Sequence, residues 1–216
     1  MPNQLLGRYT FFLCSLVALI AFSPWLPFPQ LSLPLVFMVG ILALLSLLQI
    51  ERVLWIACTT LAVITVLLLF VSVANGWTLF DTEHIAWLWP RYALGAVFYL
   101  LCAAGILRRL FAEKEVTGDT IIGGIAVYFL IGFFWTLVYH CVVLCDSQAF
   151  SWPVERLDTF RIAYFSFICL TTVGFGDITP VSTQAQVISL LVASSGQIYL
   201  AVFVARLIGL HTGGRK

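Results

Sequence analysis

Thr171-Thr172-Val173-Gly174-Phe175-Gly176-Asp177 is the stretch on which the fold turns. Two glycines alternate with bulky apolar residues, so an extended or irregular backbone is expected rather than a helix. Before it, Phe160–Leu170 is a short amphipathic stretch, with Asp158 or Thr159 as candidate cap, and is long enough for about three helical turns. After it, no charge occurs from Ile178 to Ala205. A short helix, an extended segment and then a long apolar run describe a chain that enters a membrane, turns and leaves on the same side. Non-helical backbone at membrane depth is tolerated only where protein buries it or where it lines a water-filled path. The segment 146–182 therefore reads as a re-entrant loop.

Working outward, composition agrees that lipid is the solvent. The chain has 216 residues, 62% hydrophobic and only 10% charged, against about 25% charged in ordinary soluble domains. Charges are also absent from Tyr9 to Ile50, Val53 to Phe80, Tyr92 to Leu107 and Thr120 to Cys145. A spanning helix needs about 20 apolar residues. The run 9–50 is too long for one span and carries Pro24, Pro27, Pro29 and Pro34 near its middle, which mark a turn. Six spans result, at about 9–28, 32–49, 53–74, 85–108, 120–145 and 183–208. The fold class expected is all-α and integral to the membrane, with a re-entrant pore helix and loop between spans five and six.

Placing the N-terminus in the cytoplasm puts Arg8, Arg52, Arg108, Arg109, Lys114, Arg206, Arg215 and Lys216 at the inner face. Only Arg91, Arg156 and Arg161 then fall outside, which fits the excess of basic residues on cytoplasmic sides. The localisation expected is a multi-pass protein of the cell membrane with both termini cytoplasmic. Arg8 followed by an apolar run could suggest a secretory signal, but no small-residue cleavage site follows and a second span comes directly after.

Three units are expected. Residues 1–110 form a four-helix membrane domain, 111–119 a charged linker at the cytoplasmic face, and 120–210 a pore domain. No ligand-binding domain is expected after span six, and no soluble or nucleic-acid partner is indicated.

Around the quoted heptapeptide the sequence resembles the potassium channel superfamily, whose filter loop reads Thr-Val-Gly-Tyr/Phe-Gly. The resemblance spans roughly residues 118–210: outer helix, pore helix, filter and inner helix. It implies a homotetramer in the lipid bilayer, since one chain supplies one loop, and K+ as the permeant ion. Stacked rings of backbone carbonyls would replace the ion's hydration shell, at Thr172, Val173, Gly174, Phe175 and Gly176. Gly174 and Gly176 would take positive φ so that successive carbonyls face one axis, while Thr172 could add its side-chain oxygen at the inner end. Thr171 and Asp177 flank the ion sites, and Asp177 would orient the loop and attract cations. Tyr164 and Phe165 resemble the paired aromatics that brace such filters. Phe175 stands where Tyr is frequent, which removes a hydroxyl from the brace.

Gly196, midway along the last span behind Ser194 and Ser195, has two readings: a flexible point for an inner gate, or a small residue for close helix packing. Ile198, Val202 and Arg206 are expected near the inner pore mouth.

Six spans with a pore after the fifth also suggest a voltage sensor, yet the fourth span has only Arg91 at its outer end and Arg108 and Arg109 at its inner end. Sensing needs several charges within the field, each worth about 2.3 kcal/mol per 100 mV, so steep voltage dependence is not expected. Arg91 reads as an interfacial residue or as a partner for Asp81 or Glu83. His84, His140 and His211 read as isolated boundary residues. Cys14, Cys58, Cys102 and Cys169 read as small buried hydrophobes, and Cys141 and Cys145 as one helix face without metal partners. No H-E-x-x-H, G-x-S-x-G or nucleotide-binding glycine loop occurs. An enzyme is thus disfavoured; a weakly selective cation channel and a non-conducting channel subunit are the remaining alternatives.

Overall fold

The computed structural model describes residues 52–76, 85–113, 115–152 and 159–213, together with residues 10, 13, 14 and 17. The spans expected at about 9–28 and 32–49 lie outside the described residues, apart from those last four, which are helical. So do Asp81, Glu83 and His84.

From residue 52 onward the described residues form five helices in order: α1 Arg52–Ala74, α2 Ile85–Ala112, α3 Gly118–Cys145, α4 Thr159–Leu170 and α5 Thr183–Gly213. Segments of α1, α2, α3 and α5 are long and apolar enough to cross a membrane, and α4 is not. At 12 residues, α4 is about 18 Å long.

Local chemistry sets the ends. Thr117 caps α3, its hydroxyl taking the Thr120 N–H while the Thr120 hydroxyl takes the Thr117 N–H, a reciprocal box that satisfies two otherwise orphaned donors. The candidate cap Thr159 is instead the first residue of α4, and its Oγ1 is buried without a hydrogen-bond partner; Asp158 lies outside the described residues. The helix α2 runs past residue 108, where charge suggested its end, to Ala112. Tyr99, Ala103, Ile106 and Leu110 continue one buried stripe through that last turn, and burial of Leu110 outweighs the exposure of its charged neighbours.

One core cluster joins α1 (Cys58, Ala62), α2 (Phe98, Tyr99, Cys102), α3 (Ala126, Val127, Leu130) and Phe203 of α5. A second joins the other half of α3 (Tyr139, Val143) to α4 (Ile162, Phe165, Ile168, Leu170) and to Ala185 and Val192 of α5. Glycines let these helices close up. A Cβ on Gly124 would fall 1.9 Å from the Phe203 ring, and one on Gly132 would fall 2.5 Å from the Phe167 ring. The two lie eight residues apart on α3, hence on one face, and seat α5 and α4 respectively. Two short strands, β1 Phe150–Ser151 and β2 Thr179–Pro180, pair antiparallel with Phe150 opposite Pro180 and Ser151 opposite Thr179. They tie the chain entering the re-entrant segment to the chain leaving it.

Two polar side chains depart from expectation. Arg91 is buried, donating through Nη1 to Ser72 Oγ at 3.0 Å and lying 5.0 Å from the Tyr92 ring centroid. His140 is also buried: Nδ1 meets the Thr136 carbonyl at 2.8 Å and the ring stacks on Tyr92 at 4.7 Å. A carbonyl can only accept, so Nδ1 carries the proton. Sequence position near a helix end suggested interfacial side chains, but the α1–α2–α3 contact covers both.

Candidate ion-conduction site

The loop after α4 is held by the carbonyls of its last turn. Helix ends leave such acceptors without intrahelical donors, and here each of the last four is engaged. Phe167 accepts from the Thr171 N–H at 2.9 Å and from its hydroxyl at 2.7 Å. Ile168 accepts from the Gly174 N–H at 3.2 Å and Cys169 from the Thr172 N–H at 3.0 Å. Leu170 accepts from the Tyr128 hydroxyl of α3 at 3.2 Å. The extended segment is thus docked on the negative end of a short helix, where the partial charge favours a cation.

Its backbone alternates. Positive φ occurs at Thr172 (60°), Gly174 (53°) and Gly176 (78°), with Val173 and Phe175 between them outside that region. Every second residue in the left-handed region turns successive carbonyls to one side of the chain, a geometry that an ordinary helix or strand does not produce. The two glycines are the positions where sequence suggested this; Thr172 is an addition. No other non-glycine residue has positive φ among the described residues. A Cβ on Gly174 or Gly176 would meet nothing within 4 Å, so conformation, not room within this chain, calls for glycine.

Thr171 through Asp177 are exposed in the single chain, Val173 at 54% and Phe175 at 69%. Tyr164 and Phe175 stack with rings 3° from parallel and centroids 6.4 Å apart. The Tyr164 phenol is held above the usual tyrosine range, first by desolvation and then by its hydrogen bond to Asp177 and that carboxylate's charge. In that bond the phenol hydroxyl donates, because a carboxylate only accepts. Phe165 faces elsewhere: it is buried among Tyr139 and Phe150, with centroids at 5.0 and 5.3 Å. The structure thus brings Tyr164, Phe175 and Asp177 together and gives Phe165 to the packing behind α4.

The wall behind the loop comes from α3 and α5. Ser166 of α4 donates to the Gly132 carbonyl at 2.9 Å. Trp135 Nε1 donates to Ser195 Oγ at 2.9 Å, and the Tyr139 hydroxyl meets Ser189 Oγ at 3.0 Å. A Cβ on Gly196 would lie 2.2 Å from the Leu170 carbonyl oxygen, so this glycine lets α5 touch the backbone end of α4. Gln197 Nε2 approaches Thr172 Oγ1 at 3.4 Å. Neither Gln197 nor Tyr128 drew attention in the sequence. The paired spacing of small residues on α3 was a legible signal for close helix approach.

At the far end of α5, Arg206 donates to the carbonyls of Phe111 and Glu113 and lies 5.0 Å from the Phe111 ring centroid. Its side chain is committed to the end of α2 rather than to the inner mouth. No group of three or more His, Cys, Asp or Glu suited to a metal occurs among the described residues.

Residues 116–211 match a family model described as ion channel. Among curated proteins the chain is similar to the voltage-gated potassium channel Kch of Escherichia coli (strain K12), 31% identical over 129 residues, which cover 58% of this chain and 29% of that protein. The chain therefore spans less than a third of the length of the curated relative it matches. No solved structure matches it. The loop of alternating handedness, docked on a half-length helix between two helices long enough to span a membrane, lies within the segment that matches the ion-channel model, and the likeness to a potassium channel agrees with that match.

Proposed function

We propose that the chain is one subunit of a homotetrameric, K+-selective channel of the cell membrane that conducts K+ down its electrochemical gradient. The observation that carries this reading is the alternation of positive φ at Thr172, Gly174 and Gly176. Four such loops around an axis would stack rings of carbonyls from Thr172, Val173, Gly174 and Phe175, with Gly176 closing the outer end. Rings of this kind exchange for a K+ ion's water shell at low cost. Thr171 anchors the loop to α4, while Asp177, held by Tyr164, sets its outer end. The exposure of Val173 and Phe175 supports the tetramer, because large apolar side chains at that depth need neighbouring protein.

In this reading the four helices within 1–110 surround a pore domain at 120–210, joined by the linker 111–119, with six spans and both termini in the cytoplasm. The family match also answers the enzyme alternative, since the matched segment is a channel domain. Steep voltage gating is not proposed: Arg91 is buried against Ser72 and Tyr92 near the start of α2, and no charge lies between it and Arg108.

The test is ion flux from purified protein in liposomes, comparing K+ with Na+ and adding barium as a K+-sized divalent blocker. Barium-sensitive flux that strongly favours K+ is the expected result. Equal flux of both ions would mean a loosened filter around Phe175 and would overturn the selective reading. Absence of flux for either ion under every condition would favour a silent subunit.

A further inference from the structure

The exposed side of α5 is not uniform. The face turned toward its own subunit carries Val192, Gly196 and Phe203, all buried. Of its exposed stripes, one presents Leu191, Ile198 and Val202 at 51%, 63% and 50% exposure. The other runs through Leu190, Ser194, Gln197 and Ala201 at helical steps of four, three and four, all exposed. The apolar stripe suits lipid or a neighbouring helix. Beyond Leu190, the second carries a hydroxyl, an amide and a methyl group in place of large apolar side chains, which suits a water-filled path.

Within the polar stripe the register is fixed at Gln197. Trp135 holds Ser195, and Gly196 is wedged against the Leu170 carbonyl, so the next residue is delivered beside Thr172. There its Nε2 meets Thr172 Oγ1 at 3.4 Å, a long hydrogen bond in which the amide donates and the hydroxyl oxygen accepts. With Nε2 making this contact, the amide oxygen is left out of the Thr172 bond.

We infer that Gln197 is a positioning and specificity-determining residue at the inner mouth of the filter, where its amide orients the Thr172 hydroxyl and presents an oxygen to a cation entering from the cavity. This rests on the K+-channel reading above. Four copies would set a ring of amides directly beneath a ring of threonine hydroxyls, and an ion leaving bulk water would meet the amide oxygens first. A divalent cation held at the innermost site is the most sensitive probe, since its attraction to each ligand dipole is twice that of K+.

The experiment uses the full chain reconstituted in planar bilayers, with barium applied from the inner side. Gln197→Leu keeps the volume but removes both amide functions. The concentration of barium that halves the current is expected to rise about tenfold, the scale of one lost charge–dipole contact. Gln197→Glu keeps the shape and adds a negative charge, and is expected to lower that concentration by about tenfold or more. A merely structural role would shift both variants in the same direction. Wild-type-like block in both, or shifts of equal sign, would overturn the inference. A wild-type current that does not prefer K+ over Na+ would remove the underlying reading, and that outcome is visible before any variant is made. Should Gln197→Leu fail to assemble, the near-isosteric Gln197→Glu alone still decides: unchanged or weakened block refutes the role.

Discussion

Thr172 is β-branched and sits at φ 60°, a conformation that costs such a residue roughly 1–2 kcal/mol. Its N–H bond to Cys169 and the Gln197 contact help to hold it there. Gly174, two residues on, has the same handedness without the side-chain penalty. Alanine there could relax by flipping its peptide, turning one carbonyl away from the others, and the gain of about 1 kcal/mol per copy would be repeated in every subunit. Gly174→Ala is therefore expected to abolish selective conduction, checked as K+ against Na+ flux in liposomes. A mutant that still prefers K+ strongly would count heavily against the filter. The positive φ of both glycines could be anticipated from alternation in Thr-Val-Gly-Phe-Gly. That of Thr172 could not, because its residue type argues the other way and only the docking of its N–H explains it.

The same docking has a counterpart between helices. Gly132 of α3 receives the Phe167 ring, which is penned between Phe129 and Phe133 at 5.7 and 5.2 Å. Since the ring packs against both of those neighbours, Gly132→Ala is expected to overpack the α3–α4 contact and cost about 1–3 kcal/mol. Thermal unfolding in detergent should show a lower midpoint, while Ile125→Ala on an exposed part of the same helix should change it little. Four of the expected spans coincide with helices to within a few residues, because length and charge-free runs dictate them. Helix ends were less legible. The last turn of α2 depends on Leu110 finding a core, and Thr159 lies inside α4 where its residue type suggested a cap. Such outcomes depend on tertiary neighbours that no local pattern encodes. The burial of Arg91 and His140 is of the same kind, since residue type and position near a helix end pointed to an interface.

Across the described part of the molecule, the charges of α2 are gathered at its ends. The buried Arg91 would have to break its Ser72 bond and leave the Tyr92 ring to move through the field. Replacing Arg108 and Arg109 together by glutamine is expected to leave the steepness of the current–voltage relation unchanged, measured on reconstituted channels. A large loss of slope would show that these residues carry gating charge. Long-range partners were the least legible feature at this scale. Arg206 and Phe111 are 95 residues apart, and only the fold brings the end of α5 to the end of α2. That contact, with the core shared by α1, α2, α3 and Phe203, joins the first block of helices to the pore-bearing one in a way that hydropathy alone could not indicate.

The glycine notch at residue 196 restricts how α5 can move. Successive side chains on a helix are set about 100° apart, so turning α5 about its own axis by one position would bring Ser195 or Gln197 against the Leu170 carbonyl, where even a Cβ has no room. Rotation is blocked at that level like a key in its ward. Tilting about the notch would leave that contact in place, so axial rotation is the motion it opposes. Below the notch, Phe203 seated on Gly124 and Arg206 bonded to the Phe111 and Glu113 carbonyls moor the lower arm of α5 to α3 and α2.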